Sequence, residues 1–592
     1  MTVVASVLAQ AGGSSLASWD PVILLVGGYL AIVVALLVFG RSGDHPSPVG
    51  RFVLRAPNGL EALTGIPGWA AATVGTALYG LLIAGQGFYS DVAWHIALGR
   101  DDELFTAPHT SIFIGLVTIF GAALLGIGLA SLARVSTPIR AGALRIPWST
   151  VPLALLGGAA VLGFPLDEGW HAQYGIDVTM WSPTHMLMIL GASFSGIAAW
   201  LVLAEAGVSP RASRWATGAH VLAGWLTLQG LAASQGEFVF GVPQFQQLFH
   251  PILVCLAAGF AIVAVRLVLG PFYAVAITAV TAALEAGNLL DFGGEDGPVD
   301  TRHGGIYVVS AVAVEIVARV LGTERRLRFA LASGLAVGTV GLASEWAWNT
   351  RAYQPWRAAL LPEALVFGVA AALGAAVLGA AFGSAVRRER SHRLPRWSLV
   401  AATVVLLAVV ALPMPRRTGD VQAEMTLDRA GAGTAYIELT VTPPDAADDA
   451  KWFQAINWQG GGLTLAEMEE VAPGRFRSEA PVGISGKGKT LVRLHRGDEL
   501  MAFPVRLPAD PEIGEPEIPA VDRSGPFAGE KVFLMREAES GDGWYAVLVY
   551  VVLAGVGLAW MAAFAVASQR VRRAARPASV RAGTEQEYAA IR

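Results

Sequence analysis

The chain is nearly free of cysteine and poor in charge. Its 592 residues hold one cysteine, Cys255, so no intrachain disulfide can form and any exported part must fold without one. Only 15% of residues are charged, where soluble domains carry about a quarter. Lysine is rarer still: all four lysines fall between residues 451 and 531, and arginine supplies the remaining positive charge. No P-loop, GxSxG or CxxC occurs, and no basic stretch precedes a cleavable apolar one, so no signal peptide is expected.

What the chain does have is apolar length. Hydrophobic residues make up 54%, and mean hydropathy is +0.52. Segments long enough to span a bilayer occur near 21–40, 67–90, 109–132, 149–166, 184–205, 217–236 and 250–267. They continue near 271–290, 304–322, 329–347, 362–386, 397–413 and 544–567, thirteen in all. An all-α polytopic membrane bundle is therefore expected. Arginines cluster after the first, third, fifth, ninth, eleventh and last segments, for example Arg134, Arg140 and Arg145, or Arg387, Arg388 and Arg390. The positive-inside rule makes those loops cytoplasmic. The chain then reads as a multi-pass protein of the plasma (inner) membrane, N-terminus outside and C-terminus inside. The arginine clusters are topology signals, and no nucleic-acid partner is expected.

Composition changes over 417–540. QAEMTLDR, TAYIELTVTP, KWFQAINW, KTLVRLHR and ELMAFPVRL alternate or are rich in β-formers, with Gly, Pro and Asp between them. An extracytoplasmic β-sandwich is expected there, inserted before the last helix, serving as a docking or structural module. With His495 as its one histidine and no cysteine, it lacks the ligands of a blue-copper site. The expected organisation is a first span and cytoplasmic loop (1–66), a duplicated pair of hairpins (67–205), further hairpins (206–416), the β unit (417–540), and a last span with a basic tail (541–592).

The duplication is the strongest signal. DVAWHIALGRDDELFTAPH (91–109) and DEGWHAQYGIDVTMWSPTH (167–185) superpose at an offset of 76 residues. That offset places Asp91 on Asp167, Trp94 on Trp170, His95 on His171, Gly99 on Gly175, Asp101 on Asp177 and His109 on His185. Aspartate and histidine four apart share a helical face, and the later histidine opens the next helix, so each hairpin offers one carboxylate and two imidazoles. That donor set suits copper, iron or zinc with coordination positions left open. Trp94 and Trp170 are expected to dry the site or mark the interface, and Asp101 and Asp177 to orient ligating imidazoles. The plain alternative, polar residues capping helices at headgroup level, is weakened by repetition of the whole triad. A bis-histidine haem would leave the aspartates unexplained.

D-x3-H with a histidine 14 residues on, repeated, resembles the C subunit of copper membrane monooxygenases, the family of particulate methane and ammonia monooxygenase. The resemblance covers roughly residues 67–205. It implies copper, one or two ions, held by Asp91, His95 and His109 and by Asp167, His171 and His185. It also implies partner membrane subunits and oxidation of a small apolar substrate from the bilayer. Asp167 stands where that family tends to have asparagine, and this chain is longer and carries its own β unit.

Further polar groups punctuate later segments: Glu237 and His250, Glu285 and His303, and Glu345. They are candidates for an additional metal site or a cation path. The rival reading built on them is a metal- or proton-coupled permease, with the histidines as entry ligands. A third reading is a scaffold subunit of a larger complex or homo-oligomer. His220, alone in an apolar run, reads as a core histidine.

Overall fold

The computed structural model describes residues 20–42, 45–99, 105–137, 139–175, 179–288, 302–389, 394–536 and 541–573. Each of the thirteen apolar segments is helical. In chain order the helices are α1 (Asp20–Phe39), α2 (Pro48–Thr64), α3 (Gly68–Leu98), α4 (Ala107–Leu132), α5 (Thr150–Tyr174), α6 (Pro183–Ser193) and α7 (Ser195–Glu205). They continue with α8 (Arg214–Ala233), a single turn α9 (Gly236–Val239), α10 (Phe249–Leu269), α11 (Tyr273–Asn288), α12 (Val308–Leu321) and α13 (Arg326–Ala336). The last are α14 (Leu342–Asn349), α15 (Leu361–Val386), α16 (Arg396–Ala411), the turn α17 (Lys531–Leu534) and α18 (Gly543–Arg573). α6 and α7 form one rod interrupted at Phe194, and a π-turn over Val337–Gly341 joins α13 to α14. Among the described residues, eight of these rods are long and apolar enough to cross a membrane; Val26–Leu36, Tyr273–Gly287 and Arg396–Ala411 are shorter apolar helices.

Two antiparallel hairpins, α3–α4 and α5–α6, carry the repeat. The first is packed close enough that a Cβ on Gly115 would lie 2.5 Å from the Ala84 backbone nitrogen, the small-residue contact that membrane helices use in place of a hydrophobic drive. α18 packs along α5, and α10 pairs with α15 in the other half of the bundle. α3 runs to Leu98 and α5 to Tyr174, beyond their apolar cores, so each Asp–His pair occupies the last turns of its helix.

α2 was not foreseen as a helix. Ser47 caps it, Pro48 starts it, and it is amphipathic: Val49, Phe52 and Leu63 are exposed beside the basic Arg51 and Arg55. Its apolar stripe is too narrow and too interrupted to read as a span, and it suits the interface plane.

Several arginines that follow the apolar segments lie at the end of the bundle away from the repeat loops, while Arg302 lines the triad cavity and Arg357 pairs with Glu467 of the β unit. Arg387 donates to the Leu267 carbonyl at 2.9 Å, Arg326 pairs with Glu389 at 2.5 Å, and Arg570 lies over the Trp148 ring.

At the other end sits the β unit. Its strands are β1 (Gln422–Gly431), β2 (Thr434–Thr442), β3 (Ala450–Trp458), β4 (Thr464–Ala472), β5 (Arg475–Ser478), β6 (Val482–Gly483), β7 (Lys489–Arg496), β8 (Glu499–Arg506), β9 (Arg523–Pro526) and β10 (Ala528–Gly529). They make one continuous sheet in the order β9-β1-β2-β5-β4-β3-β7-β8-β10, with β6 beside β2. β9 and β10 follow one another directly, so the strip Arg523–Gly529 links β1 to β8 and brings the sheet round on itself. The unit is thus barrel-like, where two separate packed sheets had been expected. Met425, Ile437, Phe453, Val492 and Phe503 fill its core.

The opposite face of β3 and β7 is buried as well. Trp452 pairs with His495 and Gln454 with Arg493, and all four are fully buried against the bundle. Arg493 donates to Glu530 at 2.8 Å and to the Pro243 carbonyl, Gln246 donates to the Pro415 carbonyl at 2.7 Å, and Lys451 pairs with Glu363. The docking partner of this module is the chain's own membrane bundle. Burial holds the His495 imidazole well below its ordinary pKa, with Lys451 adding to the effect, and the same burial raises the Glu530 carboxyl.

Candidate metal centre

Local sequence explains how each triad forms. In the first copy α3 ends at Gly99, whose φ of 102° no side-chain-bearing residue adopts easily, and His95 lies in the final turn. α4 then begins with Thr106 as N-cap and Pro108 in its first turn, which sets His109 at the third helical position. The second copy repeats this: Gly175 at φ 78° ends α5, Ser182 caps α6, Pro183 follows, and the Ser182 hydroxyl accepts from the His185 amide at 3.2 Å. The repeat therefore extends to the caps, Thr106 on Ser182.

Among the described residues, two groups of three could hold a metal ion: Asp91, His95 and His109, and Asp167, His171 and His185, each with donor atoms within 4.8 Å of one another. His95 Nε2 and His109 Nε2 lie 3.5 and 3.1 Å from Asp91 Oδ1. His171 Nε2 and His185 Nε2 lie 3.7 and 3.4 Å from Asp167 Oδ1. Ring centroids are 5.8 Å apart in the first pair and 5.9 Å in the second. The two sites are near copies.

The other ring nitrogen is fixed in two of the four histidines. His95 Nδ1 meets the Gly99 carbonyl at 2.9 Å, and His185 Nδ1 meets the Thr179 carbonyl at 3.0 Å. A carbonyl only accepts, so each of these Nδ1 atoms carries a proton. A neutral ring then turns its Nε2 lone pair toward the aspartate, whereas an imidazolium donates Nε2–H to it. Asp91 Oδ1 is buried and, close as His109 is, has no hydrogen bond of acceptable geometry among the described residues. With the three donor atoms of each group within 4.8 Å of one another, one cation can be reached by all of them. The residues present fit a metal ion.

The copies differ in one donor. Thr184 donates to Asp167 Oδ1 at 2.6 Å, while the matching position in the first copy is Pro108, which has no hydroxyl.

Both triads stand on the wall of one cavity of about 1120 Å³. Its wall is otherwise largely apolar, with Leu116, Phe164, Met188 and Leu226 among its residues, and Trp458, Gln459 and Leu534 of the β unit reach it. The loop after β3 also ties to the first triad's helix: Gln459 N donates to the Ile96 carbonyl at 2.9 Å and Gly461 N to that of Ala97 at 3.0 Å. The β unit thereby satisfies carbonyls that the end of α3 leaves open.

Other sequence candidates fall elsewhere. Trp94 is more than a third exposed, and Trp170 stacks on Tyr174 at 4.5 Å; neither lines the cavity. The rings that do line it, Phe88, Tyr89, Phe105 and Phe164, come from inward positions. Asp101 and Asp177 lie outside the described residues. Glu237 is buried and accepts from Gln244 N at 2.7 Å, Met180 N at 3.1 Å and Thr179 Oγ1 at 3.2 Å. It thus holds Thr179, whose carbonyl orients His185. Glu285 accepts from Gly304 N at 2.9 Å and also lines the cavity. Glu345 accepts from the Ile306 and Tyr307 amides at 3.0 and 2.6 Å and does not line it. His250 accepts from Trp356 Nε1 at 3.1 Å, His303 stacks on Trp348, and neither joins a triad. His220 is satisfied in the core by Trp200 Nε1 and the Val208 carbonyl.

Thr179, Thr184 and Gln459 were not singled out from sequence. Thr184 sits beside His185 in the repeat and was within reach of inspection. The other two act through the fold: Gln459 lies more than 350 residues from His95.

Fold and site define a helical bundle with eight rods long and apolar enough to cross a membrane, two Asp/His₂ groups that could each hold a metal on one cavity, and a β unit of the same chain reaching that cavity. No protein-family model matches the chain, no curated protein matches it, and no solved structure matches it.

Proposed function

We propose that this protein is an integral membrane metalloenzyme of copper-monooxygenase type, with one or two copper ions held by Asp91, His95 and His109 and by Asp167, His171 and His185. The observation that carries this reading is the pair of matching triads, each with carboxylate and imidazole atoms within 4.8 Å of one another on the wall of one largely apolar cavity. Iron and zinc are the alternative ions. A bound copper would supply oxygen activation for hydroxylating an apolar substrate that arrives from the bilayer. The chain's own part is to fix Nε2 as the ligand atom of His95 and His185 through the Gly99 and Thr179 carbonyls. It also excludes bulk water with the apolar wall and with the β unit above it. The loop clusters at Arg134, Arg140 and Arg145 and at Arg387 and Arg388, at the end away from the triads, support a cytoplasmic arginine end and an outer-face site in the plasma (inner) membrane. Additional membrane subunits or a homo-oligomer fit the resemblance to the C subunit.

The permease reading draws on one observation, that Glu237 and Glu285 stand on the same cavity wall as the triads. Glu237 is held by three donors and Glu285 by at least one, so both already serve as anchors of loops.

Elemental analysis and low-temperature EPR on purified protein, beside a His95→Ala/His171→Ala double variant, test the reading. About one or two coppers per chain, lost in the variant, support it. Zinc or iron lost in the same way keeps the site and removes the copper chemistry. A parent that takes up no metal after copper loading overturns it.

A further inference from the structure

The cavity is much larger than two metal centres and a small substrate require. At about 1120 Å³ it exceeds the roughly 300–1,000 Å³ of pockets that enclose drug-sized ligands. It is also open to the side. Leu82 on α3 and Leu284 on α11 line the cavity and are exposed on the outside of the bundle, 40% and 51%. α3 and α11 each pack on α8, and their two leucines reach from the outside of the bundle to the cavity wall, which we read as a lateral mouth. From that mouth the wall runs past Leu226 and Met188 to Phe164 and Leu116, beside the histidines of both triads.

We propose that this cavity is a chain-binding site. Its ligand is an aliphatic chain of at least about eight to twelve carbons drawn from the bilayer; such a chain still leaves part of the volume free, and a one- or two-carbon molecule leaves nearly all of it empty. The assignment of that chain as substrate rests on the metalloenzyme reading; its binding does not. The mouth faces hydrocarbon, so a chain can enter without crossing water. The triads stand on the same wall, so the part of the chain lying beside them is the part presented to them. An alkane and the tail of a carboxylate amphiphile offer the same chain, and competition separates the two sources.

The test uses metal-free full-length protein in phosphatidylcholine nanodiscs. Aliphatic diazirines of about four, eight and twelve carbons are photolysed, and the labelled residues are mapped by mass spectrometry. Competitors are unlabelled alkanes and alkanoates of graded length. The expected result is labelling of the peptides holding Leu116, Phe164, Met188 and Leu226. Competition should strengthen about fourfold in aqueous concentration per added CH₂ and then stop at the length the cavity admits end to end. Alkanes alone competing name a hydrocarbon as the ligand; alkanoates competing as well name an amphiphile. Ala233→Trp, inside the cavity, and Leu284→Trp, at its mouth, should each shorten the ceiling or cut labelling at least several-fold. A circular-dichroism melting curve like the parent's reports that each variant is folded.

Labelling confined to lipid-facing residues overturns the proposal, as does competition that rises with length without a ceiling, which is partitioning into lipid alone. Full protection by a two-carbon competitor overturns it as well. Failure of the triads to bind copper would leave the chain-length ceiling in place, so the two readings fail separately.

Discussion

Glu237→Gln should weaken the second metal centre and leave the first untouched. In the native chain Glu237 Oε1 accepts from Gln244 N at 2.7 Å, while Oε2 accepts from Met180 N and Thr179 Oγ1 at 3.1 and 3.2 Å. Glutamine has the same shape but only one acceptor oxygen. If that oxygen stays with Met180 and Thr179, its NH₂ group points at the Gln244 N–H, and a buried donor is left unmet at about 1–3 kcal/mol. The alternative flip releases Thr179 and Met180 instead. Either way the strand of backbone whose Thr179 carbonyl sets His185 Nδ1 becomes looser. Loss of a partner that orients a ligand typically costs about 10–100-fold in metal affinity, or about 1.4–2.7 kcal/mol. The assay is copper titration in two single-site backgrounds. In His95→Ala, where the second triad alone is intact, Glu237→Gln should lower affinity within that range. In His171→Ala, where only the first remains, it should change nothing. Equal losses in both backgrounds would mean general destabilisation, and no loss in either would remove Glu237 from the positioning of His185; both results refute the reasoning.

Three further outcomes follow from the same geometry. Gly99→Ala should cost about 1–3 kcal/mol of thermal stability and weaken the first centre. An added Cβ would have ordinary room beside Gln459, so the cost comes from φ 102° and can be read as a shift in the melting curve. Arg493→Met should free the β unit from the bundle: it leaves Glu530 buried without its partner, a loss of about 3–5 kcal/mol, visible as faster proteolysis within 417–540. The attachment of the β unit should also weaken in acid. His495 is held neutral when folded, with its pKa below the ordinary 6.5, so the unfolded chain binds the extra proton. Stability from this group is therefore intact above about pH 6.5 and is lost as pH falls below it, at up to about 1.4 kcal/mol per pH unit. Glu530, raised by burial, gains protons in the folded state at lower pH and opposes the loss. His495→Gln should flatten the slope of denaturation midpoint against pH between about 6.5 and 5; an unchanged slope would show that His495 is not the group responsible.

Most of the architecture was written in local pattern. Apolar length placed a helix in each of the thirteen expected segments, though among the described residues only eight helices are long and apolar enough to cross a membrane. The triads were legible for a similar reason. Asp and His four apart must share a helical face, and duplication at a fixed offset repeats the caps as well as the ligands, from Gly99 and Thr106 to Gly175 and Ser182. α2 escaped because an interfacial helix needs only a stripe of apolar residues, which Arg51 and Arg55 interrupt.

What the tertiary structure alone decided depends on contacts between residues far apart in the chain. Sequence could not place both triads on one cavity, since that depends on how two hairpins rotate against α8. Nor could it turn Glu237 from a candidate path residue into the anchor of Thr179, or show that Glu345 holds the Ile306–Tyr307 turn. The alternation in β3 and β7 marked one face of the β unit as core, yet both faces are buried. Trp452, Gln454, Arg493 and His495 are polar or amphipathic residues that would stay in water on an isolated module. They are buried here because Pro243, Glu530 and Lys451 meet them across a docking surface that exists only once the bundle has formed.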